Sequence, residues 1–490
     1  MSNVPVVDGE SKPPVMKRNE KLALALTFVA GFALRLPLID GQMIMPVDSL
    51  RLAVWEITLR DKALPLYPLL LQAMDLLIGN EQIAGGLVAA LLGAWTVVPL
   101  YMILSERVDP LAGAIGVVTA MALFHNIAFS VGVVPNPALI VPLLYAWLYW
   151  GRLSFSGEMH DLVKFNLACG LAALARPEGW GLVLPLVWAN ARYLRGKPFA
   201  QRSMPLLSAA IPYALLAAWF IAVGQLGYAS EFFGYSLPRT SLTQVIARFA
   251  GYAAALVGHT SVWPFFVAAA AYPVAAVARV RYRALAAEGF TITFVLLAAL
   301  SIQWAEDLHR LLTPAVYATI VVAAAALSGV LRCLKRSWIL RAAAVGLLAL
   351  CIIASSVAAY VLFRGIMDDL PGVFEDRLSA WSFAGAQSRD ARVLASLPVE
   401  ASYYGHRRFR PYVAGSVRPG DFIVLHSMDH CIDDELEKLG RTFRLKVRRR
   451  YVADRAFKFG PGNVSCSKGS GEGSSPGLHE SVVFEVISER

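Results

Sequence analysis

Charge is what this chain has least of. Asp, Glu, Lys and Arg make up 16% of its 490 residues against 57% hydrophobic residues, where a soluble domain carries about a quarter charged. An ordinary soluble protein of this length is excluded, and a polytopic α-helical membrane protein is expected. Cysteine is scarce too, and the five present have no metal-ligand spacing. Cys169, Cys333 and Cys351 stand alone in or beside apolar segments, as small buried hydrophobes do. Cys431 and Cys466 lie in the hydrophilic tail, where an oxidising compartment would let them pair and a reducing one would leave two thiols. No small-residue cleavage site follows the apolar run Leu22 to Leu38, so Lys17, Arg18 and Lys21 flank a retained first span rather than a signal peptide. No internal repeat is visible, which counts against a transporter built from duplicated halves.

The net charge of +10 raises the question of nucleic acid, and its placement answers it. Residues 1–363 hold 26 Lys and Arg against 18 Asp and Glu, and residues 364–490 hold 19 against 17. The excess lies in short loops between apolar runs, where it acts as a topology signal. No nucleic-acid partner is expected.

About eleven membrane spans follow from the apolar runs: the first to Leu38, then Ile83–Leu104, Leu111–Ala128, Leu139–Trp150, Val163–Ala175, Trp180–Asn190, Pro205–Gly224, Gly251–Ala278, Gly289–Trp304, Leu311–Leu331 and Ile339–Phe363. Residues 39–79 form the first external loop. Leu50, Val54 and Ile57 recur there at helical spacing among Arg51, Glu56, Arg60 and Asp61, the pattern of a helix lying in the membrane interface. Leu64 to Gly79 is apolar but short for a span, which needs about 20 residues, and it too is expected to lie on the membrane. With the N-terminus in the cytosol, cytosolic stretches carry 18 Lys and Arg and external short loops carry 8. Counting Leu64–Gly79 as a span would reverse that bias.

The odd span count places residues 364–490 outside as a small extracytoplasmic α/β domain, with residues 1–363 as the membrane domain. In the tail, Arg392 to Leu397 reads as a helix end and Asp421 to His426 as a buried strand. Asp433 to Leu439 reads as a short helix, and Phe443 to Val452 as a strand with alternating basic residues. Val482 to Ile487 is expected to close the sheet as an edge strand.

Polar residues beside apolar spans are costly, so they mark candidate function. Three groups fall on the external side of this topology. Asp48 and Arg51 form the first, Arg176-Pro177-Glu178-Gly179 the second, and Glu306-Asp307-Leu308-His309-Arg310 the third. A carboxylate there can take a proton from an acceptor, and an arginine can neutralise a lipid phosphate. The residues alone leave Asp48 two roles, N-cap of a helix from Ser49 or general base, and leave Arg176 and Glu178 as a structural pair or as substrate contacts.

In the order of its parts the chain resembles the GT-C superfamily of membrane glycosyltransferases. Those parts are the first span, an external loop with an acid, Leu64-Pro65-Leu66-Tyr67-Pro68, Pro99-Leu100-Tyr101, the Arg-Pro-Glu-Gly turn, and His309-Arg310-Leu311-Leu312-Thr313-Pro314. Within that superfamily it is more similar to the protein O-mannosyltransferase and aminoarabinose transferase group, since the Trp-Trp-Asp-Tyr-Gly motif of oligosaccharyltransferases is absent. The resemblance implies transfer of a sugar from a polyprenyl-phosphate donor to an extracytoplasmic acceptor (glycan, lipid or protein) among membrane lipids. It puts Asp48 in the place of the catalytic acid and Arg310 in that of a donor-phosphate ligand. Glu306, Asp307, His309, Arg51, Arg176, Glu178 and Tyr67 complete the candidate substrate-binding set. Departures are plain: Ser49 and Leu50 follow Asp48 where many members have Glu and then Tyr nearby, and Ser130 to Pro137 carries no acid where several relatives do. No cofactor is therefore expected, with a divalent metal as the open alternative. A bacterial plasma (inner) membrane is the expected location. The reading from another class is a lipid or polysaccharide translocation protein, or a noncatalytic membrane scaffold.

Overall fold

The computed structural model describes residues 17–39, 64–123, 126–127, 130–131, 135–222, 242–258, 284–285, 287–289, 291–295, 312–333, 337–339, scattered helical positions from 342 to 361, 377–387, 391–395, 409–426, 432–452 and 480–489. They fall into two units that divide near residue 362. The first unit is helical. Its elements are α1 (Arg18–Ala33), α2 (Leu66–Ile78), α3 (Glu81–Trp95), α4 (Val97–Arg107), α5 (Pro110–Ala122), α6 (Asn136–Ser156), α7 (Met159–Ala175), α8 (Val183–Tyr193), α9 (Phe199–Ala222), α10 (Leu242–Gly258) and α11 (Thr313–Cys333).

Local chemistry sets the breaks. Gly79 ends α2 at a φ of 71°, a conformation open to glycine, and Asn80 caps α3 by accepting the Ile83 N–H at 3.0 Å. Pro99 has no N–H to give and crowds the carbonyl four residues back, which belongs to Trp95, where α3 stops and α4 begins. Asp109 caps α5 through the Ala112 N–H at 2.8 Å, with Pro110 in the first turn. Ahead of Pro177, Arg176 is extended at φ −155° and ψ 152°, which ends α7.

Among the described residues, five helices are long and apolar enough to cross a membrane: Arg18–Leu38, Glu81–Arg107 (α3 with α4), Asn136–Ser156, Phe199–Ala222 and Thr313–Arg332. The 13-residue α2 falls short of the roughly 20 residues a span needs. Leu76, Leu184 and Phe199 stand exposed on the outside of this unit, as side chains facing lipid do. Leu100, Leu104, Leu144, Trp147, Val316 and Ile320 pack in its core.

Ion pairs tie one end of the bundle. At the C-terminal end of α4, Arg107 forks onto Glu288, one arm at 2.9 Å, and the Trp147 indole N–H donates to the same carboxylate at 2.7 Å. Arg152 Nε donates to Glu106 at 2.8 Å. Asp109 accepts from Ser328 and pairs with Arg332, each at 2.7 Å. The ends of α4, α5, α6 and α11 are thus cross-linked by charges whose hydrogen bonds offset their desolvation.

The second unit holds a five-stranded sheet, β1 (Val393–Ala395), β2 (Arg410–Pro411), β3 (Phe422–His426), β4 (Phe443–Val452) and β5 (Glu480–Glu489), in the order β2-β1-β3-β5-β4. Helix α12 (Ile432–Thr442) joins β3 to β4 in sequence. β1 runs parallel to β2 and β3, while β5 is antiparallel to β3 and β4. Asp421 anchors the sheet's middle, accepting both arms of Arg392 at 2.9 and 2.6 Å; that bond holds the Arg392 guanidinium above its usual pKa.

Two expectations are corrected here. Arg392 to Leu397 contributes a strand rather than a helix end: Val393, Leu394 and Ala395 are all buried between β2 and β3, where only an extended chain can pair on both sides. Val482 to Ile487 lies in an interior strand, not at the edge, since Val482, Val483, Phe484 and Val486 are each fully buried on two faces. Among the described strands the one at the end of the sheet beside β5 is β4, whose Arg444, Lys446, Arg448, Arg449 and Arg450 are all exposed. Cys431 and Cys466, and the interfacial helix expected from Ser49, lie outside the described residues; Cys169 is buried in α7 with its thiol free.

Candidate active site

At the end of the bundle opposite the ion pairs, the N-termini of α6 and α11 meet the C-terminus of α7. The extended Arg176 brings its guanidinium back over Glu178, donating from Nε at 3.1 Å and from Nη2 at 2.9 Å. Its Nη1 donates to Asn136 Oδ1 at 2.6 Å. The Asn136 amide in turn donates to Thr313 Oγ1 at 3.3 Å. Directly and through Asn136, Arg176 thus links its own segment to two others, 40 and 137 residues away in sequence.

Gly179 makes that geometry available. Its N–H returns to the Arg176 carbonyl at 2.9 Å, and a Cβ there would come within 2.2 Å of the Ala172 carbonyl oxygen. That neighbour is α7 backbone and cannot step aside. Gly179→Ala should therefore lower stability by about 1–3 kcal/mol, whereas Gly181→Ala, with nothing within 4 Å of its Cβ, should leave it unchanged. Thermal melts of the two variants in detergent give the comparison.

Asn136, Arg176, Glu178 and Thr313 line a cavity together with Leu139, Ile140 and Pro314. One turn further along α11, about 6 Å at 1.5 Å per residue, a second polar group is buried. The Tyr317 hydroxyl lies 2.7 Å from Asn126 Oδ1 and 3.0 Å from Thr96 Oγ1. Ser130 donates to the Asn126 carbonyl and accepts from Arg35 Nε at 2.6 Å, while Arg35 Nη1 donates to the Gly31 carbonyl at 2.6 Å. Arg35 is wholly buried, and it ties the end of α1 to the segment just before α6.

Of the residues singled out by sequence, Arg176 and Glu178 are brought together as a paired fork. Tyr67 is fully buried, its hydroxyl donating to the Gly85 carbonyl at 3.0 Å; it packs α2 on α3 and does not line the cavity. Asp48, Arg51, Glu306, Asp307, His309 and Arg310 lie outside the described residues. Among the described residues no three His, Cys, Asp or Glu side chains gather as metal ligands. Sequence reasoning passed over Asn136 and Thr313, which carry no charge, and over Arg35 and Tyr317. An arginine within the first apolar run was itself a signal.

No family model matches the chain, and no curated protein matches it by sequence. Solved structures do match. ArnT from Cupriavidus metallidurans bound to undecaprenyl phosphate superposes with a TM-score of 0.61 at 12% identity, over 96% of this chain and 98% of that one. Its apo form gives 0.62 at 13% identity, over 94% and 98%. The chain has the GT-C fold. The archaeal oligosaccharyltransferase AglB from Archaeoglobus fulgidus, in complex with an inhibitory peptide and a dolichol-phosphate, shares this GT-C fold with a TM-score of 0.53 at 13% identity, over 88% of this chain and 73% of its own. Sequence identity this low leaves fold similarity carried by the pattern of apolar runs and breaks rather than by matching side chains.

Proposed function

We propose that the protein is an integral membrane glycosyltransferase that moves one sugar from a polyprenyl-phosphate donor to an extracytoplasmic acceptor. The observation that carries this is the likeness over nearly the whole chain to a GT-C structure bound to undecaprenyl phosphate. The polar cluster gathered at one end of the bundle, away from the ion-paired end, supports a site facing one side of the membrane. An oxygen of the acceptor attacks the sugar's anomeric carbon, the bond from that carbon to the phosphate oxygen breaks, and the lipid phosphate leaves with the electron pair. Asp48 takes the acceptor's proton and Arg310 stabilises the departing phosphate. Arg176 has a different part, because Glu178 and Asn136 already hold its fork; it fixes the helix ends around the cavity.

The test is transfer of label from a radiolabelled polyprenyl-phosphate sugar in proteoliposomes to extractable cell-envelope acceptors. Release of labelled product by the wild-type chain supports the reading; lipid movement across the bilayer without transfer supports the translocation alternative. We also propose a bacterial plasma membrane location with the N-terminus in the cytosol and the tail outside, from the loop charge bias of 18 to 8. Single cysteines at Arg195 and Tyr403 should then label from the cytosolic and external sides respectively. Labelling of Tyr403→Cys from the cytosol alone would reverse the topology.

A further inference from the structure

We propose that the turn joining α8 to α9 docks one phospholipid of net negative charge, with its headgroup on Arg192, Arg195 and Lys197 and its acyl chains along the apolar faces of the two helices. Between Glu178 and Glu231 the chain carries no acidic residue. All three cations are exposed, and among the described residues none of them pairs with a carboxylate. The turn that presents them is held by its own backbone. Gly196 takes a φ of 77°, a left-handed conformation open to glycine, and the Lys197 N–H returns to the Leu194 carbonyl at 3.2 Å. Arg202 Nε closes the turn by donating to the Lys197 carbonyl. Asp161, at the start of α7, is buried and accepts from Ser156 at 3.1 Å, so it does not quench the charge of the turn.

The surroundings select a lipid over a soluble anion, and an anionic headgroup over a zwitterionic one. Leu184 and Trp188 on α8 and Phe199 on α9 are 79%, 47% and 81% exposed, so large apolar side chains run up to the charges from both helices. An amphiphile lying in the membrane covers both parts of that surface; a soluble anion leaves the apolar part bare. The level in the bundle agrees. Trp150, two residues before the ion-paired Arg152 of α6, packs on Trp188 with ring centroids 5.3 Å apart, which puts the turn at the ion-paired end, where the apolar helices stop. Arg192 already stands over the Trp188 and Tyr193 rings, 5.0 and 5.4 Å from their centroids, in the place a quaternary ammonium would take. An ethanolamine ammonium would meet three cations and no carboxylate. The donor lipid is set apart by position and shape, since the turn lies at the end of the bundle away from Arg176, and two apolar helix faces suit a lipid with two chains.

The test is native mass spectrometry of the full-length protein released from nanodiscs that hold equal amounts of phosphatidylglycerol, phosphatidylethanolamine and phosphatidylcholine. The lipid retained longest should be phosphatidylglycerol, enriched about fivefold or more over its share of the bilayer, the scale of one basic side chain at a membrane surface. The triple variant Arg192→Gln, Arg195→Gln, Lys197→Gln should bring that enrichment below about twofold, while Arg192→Lys with Arg195→Lys, which keeps the charge, should preserve it. Arg18→Gln with Lys21→Gln serves as the control, because those exposed cations flank α1 beside Glu20 and belong to no such turn; it should retain the lipid as the wild type does. Equal loss in the control and the triple variant would reduce the effect to the general charge of the membrane flanks and overturn the proposal. Retention of a zwitterionic lipid in preference, or an undiminished enrichment in the triple variant, would overturn it as well. So would displacement of phosphatidylglycerol by undecaprenyl phosphate added at the same concentration, which would give the turn to a single-chain lipid instead.

Discussion

Asp48→Asn should abolish sugar transfer while leaving the chain folded and the donor bound. The amide is nearly the same size as the carboxylate, and it could still accept the capping hydrogen bond of the helix expected from Ser49. It cannot take a proton from the acceptor. Loss of a general base costs on the order of 10² to 10⁴ in rate, so turnover of a labelled polyprenyl-phosphate sugar in liposomes should fall by that factor with donor affinity preserved. Arg310→Ala should behave differently, weakening donor binding as well as turnover, because in the proposed mechanism it removes a charge facing the phosphate in both ground and transition states. Near-normal turnover in Asp48→Asn would leave Asp48 as a helix cap and favour the translocation or scaffold alternative.

The largest effect on stability should come from Arg107→Met. Arg107 keeps 7% of its side chain exposed and Glu288 24%, so removing the arginine strands a carboxylate in an apolar bundle with the Trp147 indole N–H beside it. Breaking one side of a buried pair costs about 3–5 kcal/mol. The double variant Arg107→Met with Glu288→Leu should recover most of that loss, since it removes the stranded charge as well. Unfolding in mixed micelles, followed by tryptophan fluorescence, would measure all three chains. Equal destabilisation in the single and double variants would mean that packing, not charge, holds the two positions together.

How much of this was legible in the sequence depended on whether the signal was local. Apolar runs and helix punctuation are local, so the starts of α5 at Asp109-Pro110 and the end of α7 at Arg176-Pro177 could be read from the residues. β3 and β4 showed their faces in the same way. β1 did not, because Val393, Leu394 and Ala395 become a strand only through neighbours more than a dozen residues away on both sides. β5 reads identically as an edge or an interior strand until its second partner is known. In the site, the charges of Arg176 and Glu178 stood out against their apolar surroundings, whereas Asn136 and Thr313 gain meaning only from the contact that brings residues 136, 176 and 313 together. No periodicity reports a contact of that range.

The outermost strand of the second unit bears on crowding. An open sheet edge is a template on which another copy's strand can add, and a membrane concentrates copies in two dimensions. Among the described strands β4 stands at such an end, ten residues long, yet Arg444, Lys446, Arg448, Arg449 and Arg450 stand exposed along it. A second β4 laid alongside would bring a row of like charges against the first, with Glu485 already engaged by Arg448 at 2.7 Å. Edge-to-edge polymerisation is disfavoured by that repulsion, and replacing the basic side chains with threonine would keep the strand while removing its guard against fibrous self-association.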